Sequence, residues 1–282
     1  MTNVFPKTDL ARILALPLRA RLLGLLAALR FLGLPELVRV AGLDATGLLA
    51  ELVEEKLALR FERTLDAIAG VREPVFALRR AGAAAVARAL DVEPATVVSE
   101  RPSSVKKSML FLDHTLARNR FALLLAQALA GPAPAALLSW EHDADRLADA
   151  AHPVENGRLR RVPLVGDGLA ILRGPRGIEG LLVEIDRGTE RPWYLGRKYA
   201  AYETWWRDGG PRRRFDLPAL RILTVAPDLR RTDLLRRTAA DATGGRAGGL
   251  YWFASEEALL SQGIVAPIWR TLRSDNSIPL WI

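Results

Sequence analysis

The chain has no cysteine among its 282 residues, which excludes a disulfide framework and any thiolate metal site. It also lacks an apolar run of the ~18–20 residues needed to span a bilayer. The longest candidate, Leu10 to Leu34, is interrupted by Arg12, Arg19, Arg21 and Arg30. The opening MTNVFPKTDL has no basic segment leading into an apolar core, so it does not read as a signal peptide. No internal repeat and no low-complexity tract is present. Together these absences predict a cytoplasmic protein without a membrane segment.

What is there is an ordered, basic composition. Half the residues are apolar and 26% are charged, as in a globular protein of one large domain or two modest ones. The net charge is +8 and the pI about 10.4, which suits a nucleic-acid partner. Residues 1–105 carry 14 basic and 12 acidic side chains, and the remainder 26 and 20. The excess therefore lies in the second half, where Arg212-Arg213-Arg214, Arg230-Arg231 and Arg236-Arg237 cluster. A phosphate backbone is a natural counter-charge for such clusters. A solvated arginine surface is the competing explanation.

Leu10, Ile13, Leu14, Leu18, Leu22, Leu25, Leu26 and Leu29 fall at helical spacing over Asp9 to Leu32, with Pro17 breaking the helix or starting its longer part. Helices are expected over Leu34–Ala41 and from Asp44 or Thr46 to about Lys56, then a strand over 57–62. A loop, a returning strand over 74–78 and an alanine-rich helix over 81–90 follow. Three helices, a two-stranded wing and a trailing helix make a winged helix-turn-helix over residues 1–92. The third helix is acidic, with Asp44, Glu51, Glu54 and Glu55, and would be repelled by phosphate. DNA contact then falls to the wing and its Arg60, Arg63 and Arg72. The leucine-rich first helix predicts a homodimer through this half. Residues 93–105, with their prolines and hydroxyl residues, read as a linker.

Residues 106–282 read as a second domain. A long helix from Met109 to Leu129 carries His114, and a strand over 136–140 precedes Glu141-His-Asp-Ala-Asp145, where helix capping by Asp143 is the simpler role. Asp167 opens a short strand, Leu169–Leu172. After a Gly/Pro/Arg turn, Leu181–Ile185 runs into Asp186, and residues 184 and 186 share one face of an extended strand. The next helix carries Lys198 and, one turn on, Tyr202. Hard carboxylate oxygens from Asp167, Glu184 and Asp186 suit Mg²⁺ or Mn²⁺, with a lysine beside them for a phosphate or a water. A lone E-x-D, by contrast, is more often a solvated pair at a strand end. A strand over 220–226, a basic helix over 228–240 and a strand over 250–254 complete the order α-β-β-β-α-β-α-β.

On GDGLAIL, LLVEIDRGTERPWYLGRKYAAY, LDHTLARNRF and EPVFALRRAGAAAVARAL, the chain resembles the replication-relaxation family of plasmids and mobile elements. Its second half is similar to the restriction-endonuclease-like core of the PD-(D/E)XK superfamily. The resemblance implies an α+β protein: a winged helix-turn-helix followed by a nuclease-like α/β domain with a central mixed sheet. It places Asp167 at the aspartate of the P-D element, Glu184 at the first acid of the second element, and Asp186 where the lysine would stand. Lys198 is then a migrated replacement. The implied functions are metal-dependent cleavage of plasmid or mobile-element DNA, DNA binding by a degenerate nuclease fold, or a docking role in assembly. In the first, Asp167, Glu184 and Asp186 hold the ion and Lys198 the scissile phosphate, and Arg212, Arg213, Arg214, Arg230 and Arg231 add DNA contacts.

Overall fold

The computed structural model describes residues 9–66, 71–98, 111–131, 134–155 and 157–281. They form two compact units, Thr8–Ala130 and Gly131–Ile282. The fold is mixed α and β. Among the described residues, no helix is long and apolar enough to cross a membrane.

In the first unit the side chain of Asp9 accepts a hydrogen bond from Arg12 N at 2.9 Å and caps α1 (Leu10–Leu14). Pro17 separates it from α2 (Leu18–Leu29), which ends where Arg30 takes a positive φ of 73°. The helix expected to reach Leu32 thus stops three residues earlier. Phe31–Gly33 instead forms strand β1, antiparallel to β3 below. Then come α3 (Leu34–Ala41), α4 (Ala45–Glu54), β2 (Ala58–Asp66), β3 (Val71–Leu78) and α5 (Arg80–Leu90). The sheet order is β1-β3-β2, all antiparallel. The hairpin strands are longer than expected, because residues 63–66 and 71–73 continue the ladder.

Helix α6 (Leu112–Leu129) belongs to this first unit, whereas its sequence position after the linker assigns it to the second domain. The reason is a buried amide. Asn119 donates to Leu29 O and Phe31 O, both at 2.7 Å, and so satisfies carbonyls left open where α2 turns into β1. Arg120 also meets buried Glu36 at 2.6 Å. Of the expected linker, residues 99–105 lie outside the described residues. Leu10, Ile13, Leu22, Leu25, Leu26 and Leu29 are all buried within the chain, so the leucine surplus that motivated a homodimer is consumed internally.

The second unit is built on a six-stranded mixed sheet, in the order β13-β12-β11-β10-β9-β4. Strand β4 (Ala136–Glu141) leads to α7 (Ala144–Leu147), where Asp143 accepts from Asp145 N, the expected cap. Four short strands follow as two small antiparallel pairs: β5 (Asp149–Ala151) with β8 (Val162–Leu164), and β6 (Val154–Glu155) with β7 (Arg158–Leu159). The central hairpin is β9 (Gly168–Gly174) and β10 (Gly177–Ile185), with α8 (Pro192–Arg207) and the short α9 (Gly210–Phe215) after it. Strand β11 (Leu220–Ala226) is parallel to β10, and helix α10 (Leu229–Thr243) leads to β12 (Tyr251–Ser255), parallel to β11. Helix α11 (Glu256–Gln262) and the antiparallel edge strand β13 (Arg270–Thr271) end the sheet.

Parallel neighbours cannot be joined by a tight turn, so α8 and α10 serve as the crossovers. They pack on one another and on one sheet face, where Leu182, Ile222 and Phe253 meet Tyr199, Tyr202 and Leu235. The near-continuous burial of β10, β11 and β12 explains their unbroken apolar runs.

Candidate functional site

At the end of β10 the backbone sets three carboxylates in place. Asp167 N donates to Val183 O at 2.9 Å, and Ile185 N donates to Asp167 Oδ2 at 2.7 Å, so this acid completes the hairpin ladder. Glu184 stands opposite Thr224 in the parallel register. Asp186 N donates to Val225 O at 2.9 Å and carries the same strand one step further.

The two acids of the Glu-x-Asp pair go to different helices. Lys198 Nζ meets Glu184 Oε2 at 2.5 Å, and the Tyr202 hydroxyl donates to Glu184 Oε1. Lys198 and Tyr202 are one turn apart on α8, as their spacing predicts. Asp186 is held by Arg231 from the first turn of α10, through Nε at 2.7 Å and Nη2 at 3.0 Å. Gly188 N adds a bond at 3.1 Å, and Arg231 Nη2 also reaches Glu190 O at 2.8 Å. Such a two-pronged guanidinium contact fixes orientation as well as charge. Asp186 is therefore turned towards α10, while Asp167, Glu184 and Lys198 share one electrostatic neighbourhood.

Burial dominates the protonation of this group. Desolvation pushes the Glu184 carboxyl up to about 7, against the lowering pull of Lys198 and with a further raise from Asp167. Burial lowers the Lys198 ammonium, but Glu184 and Asp167 outweigh it and hold it above its usual value. Tyr202 is raised well above a normal phenol, by burial first and then by Glu184. A cavity of about 20 Å³ lies between these groups, lined also by Tyr199 and Thr224, with room for about one water. The buried Thr224 hydroxyl lies near the Tyr199 phenol yet makes no well-formed hydrogen bond.

The donor set fits poorly with a divalent ion. Hard cations of this size take several oxygens converging on one point. Here Glu184 is engaged by a lysine and a phenol, and Asp186 by a guanidinium. Among the described residues no three His, Asp or Glu side chains gather to hold a metal. Glu141 and Asp143 of the acidic run likewise serve a turn: Glu141 accepts from His142 N and Asp143 N and pairs with Arg146 at 3.1 Å.

The replication-relaxation family model matches residues 23–216. The chain belongs to the replication-relaxation family. No curated protein and no solved structure matches it. Membership supports a role in replication or on a mobile element. The match includes Asp167, Glu184, Asp186 and Lys198 and stops before β11, so Arg231, the partner of Asp186, lies beyond it.

The arginines expected to meet DNA in this replication-relaxation protein divide into two sets. Arg63 is turned to Glu73 at 2.5 Å and Asp113 at 2.6 Å, and Arg231 is committed to Asp186. Arg214 donates to Ala148 O at 3.1 Å and Arg146 O at 2.8 Å, tying α9 to the segment after β4. Arg60 is exposed and pairs with Glu62 at 2.9 Å. Arg72, Arg212, Arg213 and Arg230 are exposed; Arg212 meets Asp216 at 3.3 Å and Arg213 bonds Asp208 O. Sequence reasoning missed Arg231 as a ligand of Asp186, and Thr224 as the neighbour of Glu184. Both depend on the placement of α10 and β11, which no local pattern encodes.

Proposed function

We propose that this chain is a DNA-binding member of the replication-relaxation family that holds duplex DNA without cutting it. In this reading Thr8–Ala130 is a winged helix-turn-helix and Gly131–Ile282 a restriction-endonuclease-like core whose acid site has become structural. The observation that carries it is the pair of clasps: Lys198 and Tyr202 on Glu184, Arg231 on Asp186. A metal-dependent nuclease turns its carboxylates towards one ion and leaves room for a phosphate. Here both acids of the pair are buried, already neutralised, and beside a cavity for a single water. Helix α4 is a poor reader of DNA, since exposed Glu51 and Glu55 face Arg19 across an ion-pair pair of contacts. Duplex contact falls instead to Arg212 and Arg213 on α9, with Arg72 on the wing. A cytoplasmic location belongs to the same reading.

Gel-shift and nicking assays on supercoiled and linear DNA, with Mg²⁺ or Mn²⁺ present, test it. The expected result is a salt-sensitive shift with no nick, weakened when Arg212 and Arg213 are both changed to Glu. Nicking by the wild type that disappears in Glu184→Gln and Lys198→Ala would make the protein a nuclease. Absence of a shift even at low salt would remove the DNA-binding reading.

A further inference from the structure

The aromatic residues of α8 divide sharply. Tyr199, Tyr202 and Trp205 are buried, whereas Trp193 is 62% and Tyr194 45% exposed. Their rings meet edge to face, with centroids 6.0 Å apart at 88°, so the pair has a fixed geometry while most of the indole stays open. Arg197, one turn after Trp193, is also exposed. On α10, Arg230, Leu234 and Arg237 are exposed at i, i+4 and i+7, a single outward stripe.

The two stripes belong to one surface. Helices α8 and α10 pack together, and at Gly196 a Cβ would stand 3.5 Å from Thr238 Cγ2 and 3.7 Å from Ala242 Cβ. At the other end Arg231 ties the start of α10 to Glu190 O, just before α8. Between Trp193 and Arg197 there is no acid; between Arg230 and Arg237 the one acid, Asp233, is paired with Arg270 at 2.6 Å, and Asp241 ends the basic run one turn later. Asp228 is occupied in capping α10 through Arg231 N.

We infer that the outer face of α8 and α10 binds single-stranded DNA, stacking a base on Trp193 and holding the backbone with Arg197, Arg230 and Arg237. An exposed indole recognises the flat face of an unstacked base, which a duplex keeps covered, and flanking guanidiniums supply the counter-charge for phosphate. The ligand class is therefore single-stranded nucleic acid with little sequence preference. The inference rests on the DNA-binding reading above but uses a different surface from the duplex contacts of Arg212 and Arg213. A protein that works where duplex is opened would hold both forms.

Fluorescence anisotropy of the full chain with a labelled oligothymidylate, and with a duplex of equal length, separates the two. Trp193→Ala should weaken single-strand binding roughly five- to hundred-fold, with duplex binding changed less than about twofold. Trp193→Phe should restore most of the loss. Trp206→Ala, at another exposed aromatic of α8, should leave single-strand affinity unchanged, and Arg230→Ala with Arg237→Ala should flatten its salt dependence. Equal single-strand affinity in Trp193→Ala and wild type overturns the inference, as does an equal loss for both DNA forms, which would mark a general defect. Duplex binding with no oligothymidylate binding overturns it too, while leaving the proposed function standing. If neither DNA binds, the proposed function itself fails.

Discussion

Glu184 is the residue on which the chemistry of the second unit turns, and its burial has a measurable consequence. Its folded-state carboxyl titrates at about 7 against 4.5 for an ordinary glutamate, so between those values the folded protein holds a proton that the unfolded chain releases. The stability tied to that proton is present in full at the acid end and is lost as pH rises through about 7. Glu184→Gln imitates the protonated form and has nothing to release. Across about pH 5 to pH 8, wild-type stability should fall relative to Glu184→Gln by on the order of 3 kcal/mol. Lys198→Met should move the fall to higher pH, because the cation that lowers Glu184 is gone. Denaturant titrations at a series of pH values decide the matter. Parallel curves for wild type and Glu184→Gln would mean that the carboxyl is ionised throughout. Asp186 is held instead by the two-pronged contact of the Arg231 guanidinium. Arg231→Met should leave a buried carboxylate without its counter-ion and cost about 3–5 kcal/mol near neutral pH.

Between elements, the contact of α8 with α10 is set at Gly196. A methyl group there would make ordinary van der Waals contact with Thr238 and Ala242, and glycine weakens a helix interior relative to alanine. Gly196→Ala should therefore raise stability by about 1 kcal/mol, whereas Gly82→Ala in α5 should lower it, because its Cβ would come within 2.3 Å of Leu57 O. Thermal melts of the two variants should move in opposite directions. The same elements show how much the sequence discloses. Lys198 and Tyr202 are legible as a pair aimed at the acids, since their spacing and the strand-turn-helix order are local. The alternation and apolar runs of β9, β10, β11 and β12 are legible for the same reason. Arg231 is not, because its partner lies 45 residues away and another basic residue of that cluster would satisfy the pattern equally. Strand β1 has three residues, too few to show a period, and exists because β3 offers it an edge. The unit to which α6 belongs is decided by Asn119 and two carbonyls about ninety positions earlier, a contact invisible to composition and to linker signals alike.

For the whole molecule, the family match and the folding unit do not coincide. The match ends at residue 216, yet β11 begins at Leu220 and sits between β10 and β12 in the sheet. A chain truncated after Asp216 would lose the parallel partner of β10 along Gly180–Ile185, together with Ile222, Leu235, Tyr251 and Phe253 from the core. It would also lose Arg231, leaving Asp186 with no guanidinium, and would bare a long apolar strand edge, the template for aggregation. The first unit keeps its internal contacts in such a chain: Asn119 with the α2–β1 junction, Arg120 with Glu36, and the β1-β3-β2 sheet all lie before residue 131. The 1–216 chain should therefore retain the cooperative transition of the first unit and lose that of the second. Trp140 and Trp205, both buried in the full chain, should emit as solvent-exposed indoles. Far-ultraviolet circular dichroism and tryptophan emission during a urea titration would show it. A native-like blue-shifted emission with full cooperativity in the truncated chain would mean that the β9–β10 hairpin and α8 stand without β11, and that Arg231 is dispensable to the acid site.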